Sequence, residues 1–240
     1  MRTPSPLCFG DVVDYSKLEP TFGYAASITE DLAAFEGISR AHRKELGRPR
    51  TEKKASKDTQ ANQIKVSKRI FGLGVDCRAT YVDKASPPTF WIVGKRDGEI
   101  NKTWRRRKAA IRREVLDRAI DDSLEGKIGE VEIIIDRHSA YSRIADLCKS
   151  KSTEKRTVTG NTYDSAHGRY HNALQTQDYV ANAAYSDTKG YPRRREILKI
   201  RMKKLREDAA HTAGRARPVT PNRRSCRRET GAPRNPETAI

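Results

Sequence analysis

Four carboxylates stand at positions where this sequence could carry chemistry. Val131 to Ile135 is a short, mostly β-branched run that ends in Asp136, and such a run bounded by polar residues reads as a strand buried on both faces. Asp136 then lies at the carboxyl end of that strand, where open α/β sheets place their ligands. The alternative is that it simply opens the next turn or helix. Asp14 closes an earlier strand candidate, Asp11 to Tyr15, and a sheet can set the two strand ends side by side. Asp178 sits inside a helix whose other residues suit packing. A buried carboxylate there needs a partner or a metal, whereas an exposed one needs neither. Glu52 lies in a Lys-rich stretch, where balancing charge is the simpler role.

The elements that must position these acids follow from hydrophobic period and turn residues. Asp11–Tyr15 and Phe22–Ile28 predict a hairpin, with Pro20 in its loop. A helix opens at Thr29 or Glu30 and carries Leu32, Phe35, Ile38, Ala41 and Leu46 on one stripe before Gly47 and Pro49 stop it. A second helix spans Thr59 to Phe71, and Val75 to Val82 alternates as a strand. Phe90 to Val93 is a short apolar piece, and Thr103 to Leu124 is a long helix with Arg105, Arg106 and Arg107 in its first turns. Cations at that end oppose the helix dipole, so the helix gains nothing locally from them; an anionic partner or a solvated face accounts for them. After the Val131–Asp136 strand come a short helix from Tyr141 to Lys149, a polar edge strand near Lys155 to Thr159, and a helix from His171 to Tyr185. Tyr191-Pro192 marks a boundary, Arg193 to Ala210 reads as one very basic helix, and the Pro-rich remainder has almost nothing to bury.

Composition narrows the class. Hydrophobic residues make up 35% and charged residues 33% of the 240, enough for one ordinary domain and an appendage. Residues 192–240 hold 15 Lys and Arg against 5 Asp and Glu, a net of +10, which leaves +8 of the total +18 for residues 1–191. A basic tail on a moderately basic domain fits an electrostatic grip on phosphate backbones, Arg193, Arg194 and Arg195 included; a solvated, non-specific tail fits the charge equally. Cys8, Cys77, Cys148 and Cys226 have no close pair among them, a spacing that fits neither a zinc site nor a dense disulfide framework. No apolar run reaches the length of a membrane span and the first residues lack a signal-peptide core, so the sequence predicts a soluble, cytoplasmic protein.

Several of these stretches resemble the domain of unknown function 3800 family. Leu174-Gln175-Thr176-Gln177-Asp178 is similar to its closing "LQ-x-x-D" helix, and Ile133 to Arg137 to its apolar strand ending in "D-R". Glu52-Lys53-Lys54 falls where its "E-x-K" element does, and Asp14-Tyr15-Ser16-Lys17 where its "D-E-S-G" does, with Tyr15 and Lys17 replacing the acid and the glycine. The resemblance spans roughly residues 10–186, leaves the basic extension outside, and implies a ribonuclease H-like fold, a mixed sheet flanked by helices, for a domain at residues 9–191; the basic helix and disordered tail that follow are read from composition. It also implies an acidic site at Asp14, Glu52, Asp136 and Asp178 holding magnesium or manganese.

Such carboxylates repel unless cations join them, and hard cations bind through oxygen ligands of this kind. Two ions about 4 Å apart serve phosphodiester hydrolysis, with Lys54 placed to contact a phosphate and His138 to assist proton transfer. The expectation is a metal-dependent nuclease acting on DNA or RNA. The altered first motif favours instead a nucleic-acid-binding or scaffolding protein that keeps the fold without catalysis. Four acids that fail to converge would leave an ordinary α/β domain.

Overall fold

The computed structural model describes residues 6–13, 21–48, 54–83, 113–136, 143–164, 166–185 and 193–205. These lie in one compact unit, Met1–Glu207; a second unit, Asp208–Ile240, is outside the described residues. The expected disordered tail, Phe90–Val93, Arg105, Arg106, Arg107 and His138 are also outside them.

In chain order the elements are β1 (Leu7–Val13), β2 (Thr21–Thr29), α1 (Leu32–Glu45), a 3-10 turn (Ala55–Lys57), α2 (Gln60–Gly72) and β3 (Asp76–Asp83). Then come α3 (113–124), β4 (Gly129–Asp136), α4 (Ile144–Lys149), β5 (Arg156–Tyr163), α5 (His171–Tyr185), α6 (Arg193–Leu198) and β6 (Arg201–Lys204). The strands form one sheet in the order β5-β4-β1-β2-β3-β6. Only β2 runs against the others: β1 and β3 flank it antiparallel, while β4, β5 and β6 join by parallel ladders. This is the mixed sheet flanked by helices that the sequence predicts, extended at one edge by β6. Its carboxyl-end rim gathers the ends of β1, β3, β4, β5 and β6.

Alternation along β4 explains why both faces of the sheet are covered. Ile134 packs on one side with Phe9, Phe35, Ile70, Leu174 and Val180, bringing in α1, α2 and α5. Val131, Ile133 and Ile135 point to the other, against Val115, Ile120 and Leu124 of α3 and Ile144 and Cys148 of α4. Side-chain caps start two of the helices: Asp31 accepts from the Ala34 amide at 2.8 Å and Thr59 from the Asn62 amide at 3.3 Å, satisfying donors that a helix start otherwise leaves open.

Two expectations need correction. The first strand begins at Leu7, four residues before the expected Asp11, and it runs through Asp11 instead of starting there. Gly10 hid this by looking like a breaker; it is glycine because a Cβ there would lie 1.4 Å from the Tyr24 hydroxyl oxygen. The domain also does not end near Pro192. In place of one long basic helix the chain makes α6, turns at Lys199 in the left-handed region (φ 48°), and enters the sheet as β6 beside β3. Leu198 and Ile200 are buried in the main core and Met202 packs on it, so burial of these apolar residues overrides the helical reading of the Lys and Arg between them.

Candidate active site

The parallel ladder of β1 and β4 pairs Phe9 with Ile134 and Gly10 with Ile135. The next residue on each strand is a carboxylate, Asp11 and Asp136. Alternation puts Asp11 on the face of Phe9 and Asp136 on the face of Ile134, and both of those residues belong to the core beneath α5. The acids therefore sit side by side at about the 4.8 Å strand spacing, each half-buried, on the rim where the parallel strands end. Asp136 is where the sequence predicts it. Asp11 is a candidate that sequence reading missed, and the apolar-acid alternation Leu7-Phe9-Asp11 was the available signal. Asp14 and Glu52 lie outside the described residues.

Helix α5 lies over this face, against β1 and β2. Three consecutive residues tie it to its surroundings. Gln177 Nε2 donates to the Ala25 carbonyl at 2.9 Å, and Ala25 is the register partner of Asp11. Asp178 Oδ2 accepts from the Ala55 amide at 2.6 Å. Tyr179 donates its hydroxyl to Asp58 Oδ2 at 2.9 Å. Asp178 is thus bound to the 3-10 turn that follows the Glu52-Lys53-Lys54 stretch, with Lys54, exposed, as the turn's cap residue.

Asp58 is the hub of that turn. His42 Nε2 lies 2.6 Å from its Oδ2, while Asn62 Nδ2 and the Thr59 amide donate to Oδ1 at 3.0 and 2.9 Å. The Asp58 and His42 side chains are only 1% and 2% exposed. Burial pushes the Asp58 carboxyl up, but the bonds from Asn62, His42, Tyr179 and Thr59 outweigh it and hold the group below its ordinary range. Burial, with the adjoining Asp58 charge, drives the Tyr179 phenol far upward. Sequence reading passed over this hub. Its trace was His42 on the apolar stripe of α1 below Phe35 and Ile38, a polar residue that burial obliges to find a partner.

The basic residues divide. Arg193 is exposed and Arg195 half-buried, but Arg194 is 7% exposed and donates to Asn182 Oδ1 at 2.5 Å. Burial lowers the pKa of its guanidinium. Arg194 serves the α5–α6 contact and does not face a phosphate backbone, contrary to the sequence expectation. On β6, Arg201 pairs with Asp76 at 3.1 Å and Lys203 with Asp122 at 3.4 Å, so these two cations are matched within the fold. Burial likewise pushes the thiols of Cys8, Cys77 and Cys148 up to about 11, 12 and 12, as befits packed side chains.

Among the described residues no group of three or more His, Cys, Asp and Glu is placed to hold a metal ion. The donor set at the rim still suits a hard cation, since Asp11 and Asp136 offer carboxylate oxygens from adjacent strands. No described helix is long and apolar enough to cross a membrane.

No protein-family model matches the chain, and no curated protein matches it. Among solved structures it is similar to a chain in the structure of the PCNA:RNase HII complex from Archaeoglobus fulgidus, at 11% identity and a TM-score of 0.45, covering 79% of this chain and 76% of that one. The fold assignment rests on the strand order itself.

Proposed function

We propose that the protein is a metal-dependent nuclease of the domain of unknown function 3800 type. The observation that carries this reading is the register of β1 and β4, which sets Asp11 beside Asp136 at the carboxyl-end rim. Carboxylates at this spacing repel unless a cation joins them. Magnesium or manganese bound there would polarise a phosphate oxygen and lower the pKa of an attacking water. Asp11 and Asp136 supply the shared oxygens. The resemblance to that family would add Asp178 of α5, and Asp14 and Glu52 from outside the described residues, to the acidic set. Lys54 offers an exposed cation for a substrate phosphate. The chain beyond 205, rich in arginine, supplies salt-sensitive attraction to DNA or RNA.

One observation favours a second reading. Asp178 spends an oxygen on the Ala55 amide, as a purely structural carboxylate would. Together with Tyr15 and Lys17 in the first motif, this supports a nucleic-acid-binding protein without catalysis.

Cleavage of a mixed DNA and RNA panel with magnesium or manganese, wild type beside Asp136→Asn, separates the two. Metal-dependent cleavage by the wild type alone supports the nuclease. Salt-sensitive binding with no cleavage by either supports the binding protein, and equal cleavage by both removes Asp136 from the site.

A further inference from the structure

Successive residues on a helix point about 100° apart, so Gln177, Asp178 and Tyr179 sweep more than half of the circumference of α5. They are bonded on two sides: Gln177 to β2 through the Ala25 carbonyl, and Asp178 and Tyr179 to the 3-10 turn, through the Ala55 amide and the cap residue Asp58. Packing alone does not account for a glutamine at 177. Its side chain is fully buried, and its Oε1 finds no hydrogen-bond partner among the described residues. A buried amide costs free energy that a leucine would avoid; what glutamine supplies is a directional bond to the strand position opposite Asp11. Tyr179 differs from phenylalanine only in the hydroxyl that meets Asp58. Asp58 is in turn fixed by His42, Asn62 and Thr59, so that anchor is stiff.

We infer that Gln177 and Tyr179 are positioning residues for Asp178, Gln177 setting the helix against the β1–β2 pair and Tyr179 fixing its rotation against the turn. This rests on the reading of Asp178 as a site carboxylate. The bond from the Ala55 amide reports the position of Asp178 whether or not the protein cleaves anything.

The test uses the full chain, with Gln177→Met and Tyr179→Phe as two independent variants and Thr176→Val as the control. Thr176 also anchors α5, donating to the Phe35 carbonyl at 3.0 Å, but on the side facing α1. Hydrogen exchange at the Ala55 amide should be about 10-fold faster or more in both variants, while the sheet core keeps its protection, because a loosened bond opens locally. It should be unchanged in Thr176→Val. On whichever nucleic acid the wild type cleaves, kcat should fall about 10- to 100-fold at constant KM, the scale set by a misplacement of about 1 Å. Unchanged Ala55 exchange in both variants, equal acceleration in Thr176→Val, or faster exchange with unaltered kcat overturns the inference. A wild type that cleaves nothing is a failure of the nuclease reading, and it leaves the exchange comparison to decide the clamp.

Discussion

Gly10 and Ile135 are register partners in the parallel ladder of β1 and β4, and through that one pairing Asp11 and Asp136 stand next to each other on the face beneath α5. A shift of one residue would turn one of the two acids to the opposite face. Asp11→Asn should therefore match Asp136→Asn, each lowering cleavage by more than the ~10- to 100-fold typical of changes outside the metal's own ligands. Both variants should keep the wild-type melting temperature to within a few degrees, as each substitution is nearly isosteric at a half-buried position. Activity retained in Asp11→Asn and lost in Asp14→Asn would return the role of first carboxylate to Asp14.

Truncation separates the sheet from the tail. Ending the chain after Glu207 keeps β6, and it should leave the unfolding midpoint nearly unchanged while flattening the salt dependence of nucleic-acid binding, since fewer counterions are released. Ending it after Tyr191 removes Leu198 and Ile200 from the main core and the β6 ladder from β3; that protein should be strongly destabilised. Equal stability of the two truncations in urea would show that β6 is dispensable.

How much of this was open to sequence reading depended on the residue. Val131–Asp136 announces itself because four β-branched residues, Val131 and Ile133 to Ile135, lead up to Asp136, and α5 announces itself by its small and aromatic packing residues. β6 does not. In Arg201-Met202-Lys203-Lys204 only the alternation of Ile200 and Met202 marks a strand, and Arg201 and Lys203 are tolerable there because Asp76 and Asp122 wait beside them. Register is likewise a property of two strands together, so β1 read alone offered Asp14 and not Asp11. The Asp58 hub joins residues 42, 58, 62 and 179 across three helices, a convergence that no local pattern displays.

Asp58 should contribute to the acid sensitivity of the fold. Its carboxyl is held below the ordinary value of 3.8, so its contribution is complete above that value and fades as the pH falls through the lower folded-state pKa. Urea midpoints measured from pH 7 down to pH 2 should drop steeply below about pH 4 in the wild type and less in Asp58→Asn. Asp58→Ala, which strands the buried His42 and Tyr179, should cost about 3–5 kcal/mol at pH 7. A wild-type midpoint as flat as that of Asp58→Asn would deny the hub this role.

The buried thiols should resist alkylation. With pKa values pushed up to about 11, 12 and 12, Cys8, Cys77 and Cys148 hold almost no thiolate at pH 8, and the thiolate is the reactive form. Iodoacetamide followed by peptide mass spectrometry should modify them only after unfolding. Rapid native labelling at any of the three would mean that its surroundings open readily.

A bound divalent metal can mark its own position on the chain. Iron(II) substituted for magnesium, with ascorbate and peroxide, cuts the backbone next to its own site. A metal held by Asp11 and Asp136 gives cuts around residues 11 and 136, suppressed by excess magnesium and absent from Asp136→Asn. Cuts confined to other segments, or a pattern unchanged in Asp136→Asn, would contradict a metal centre between β1 and β4.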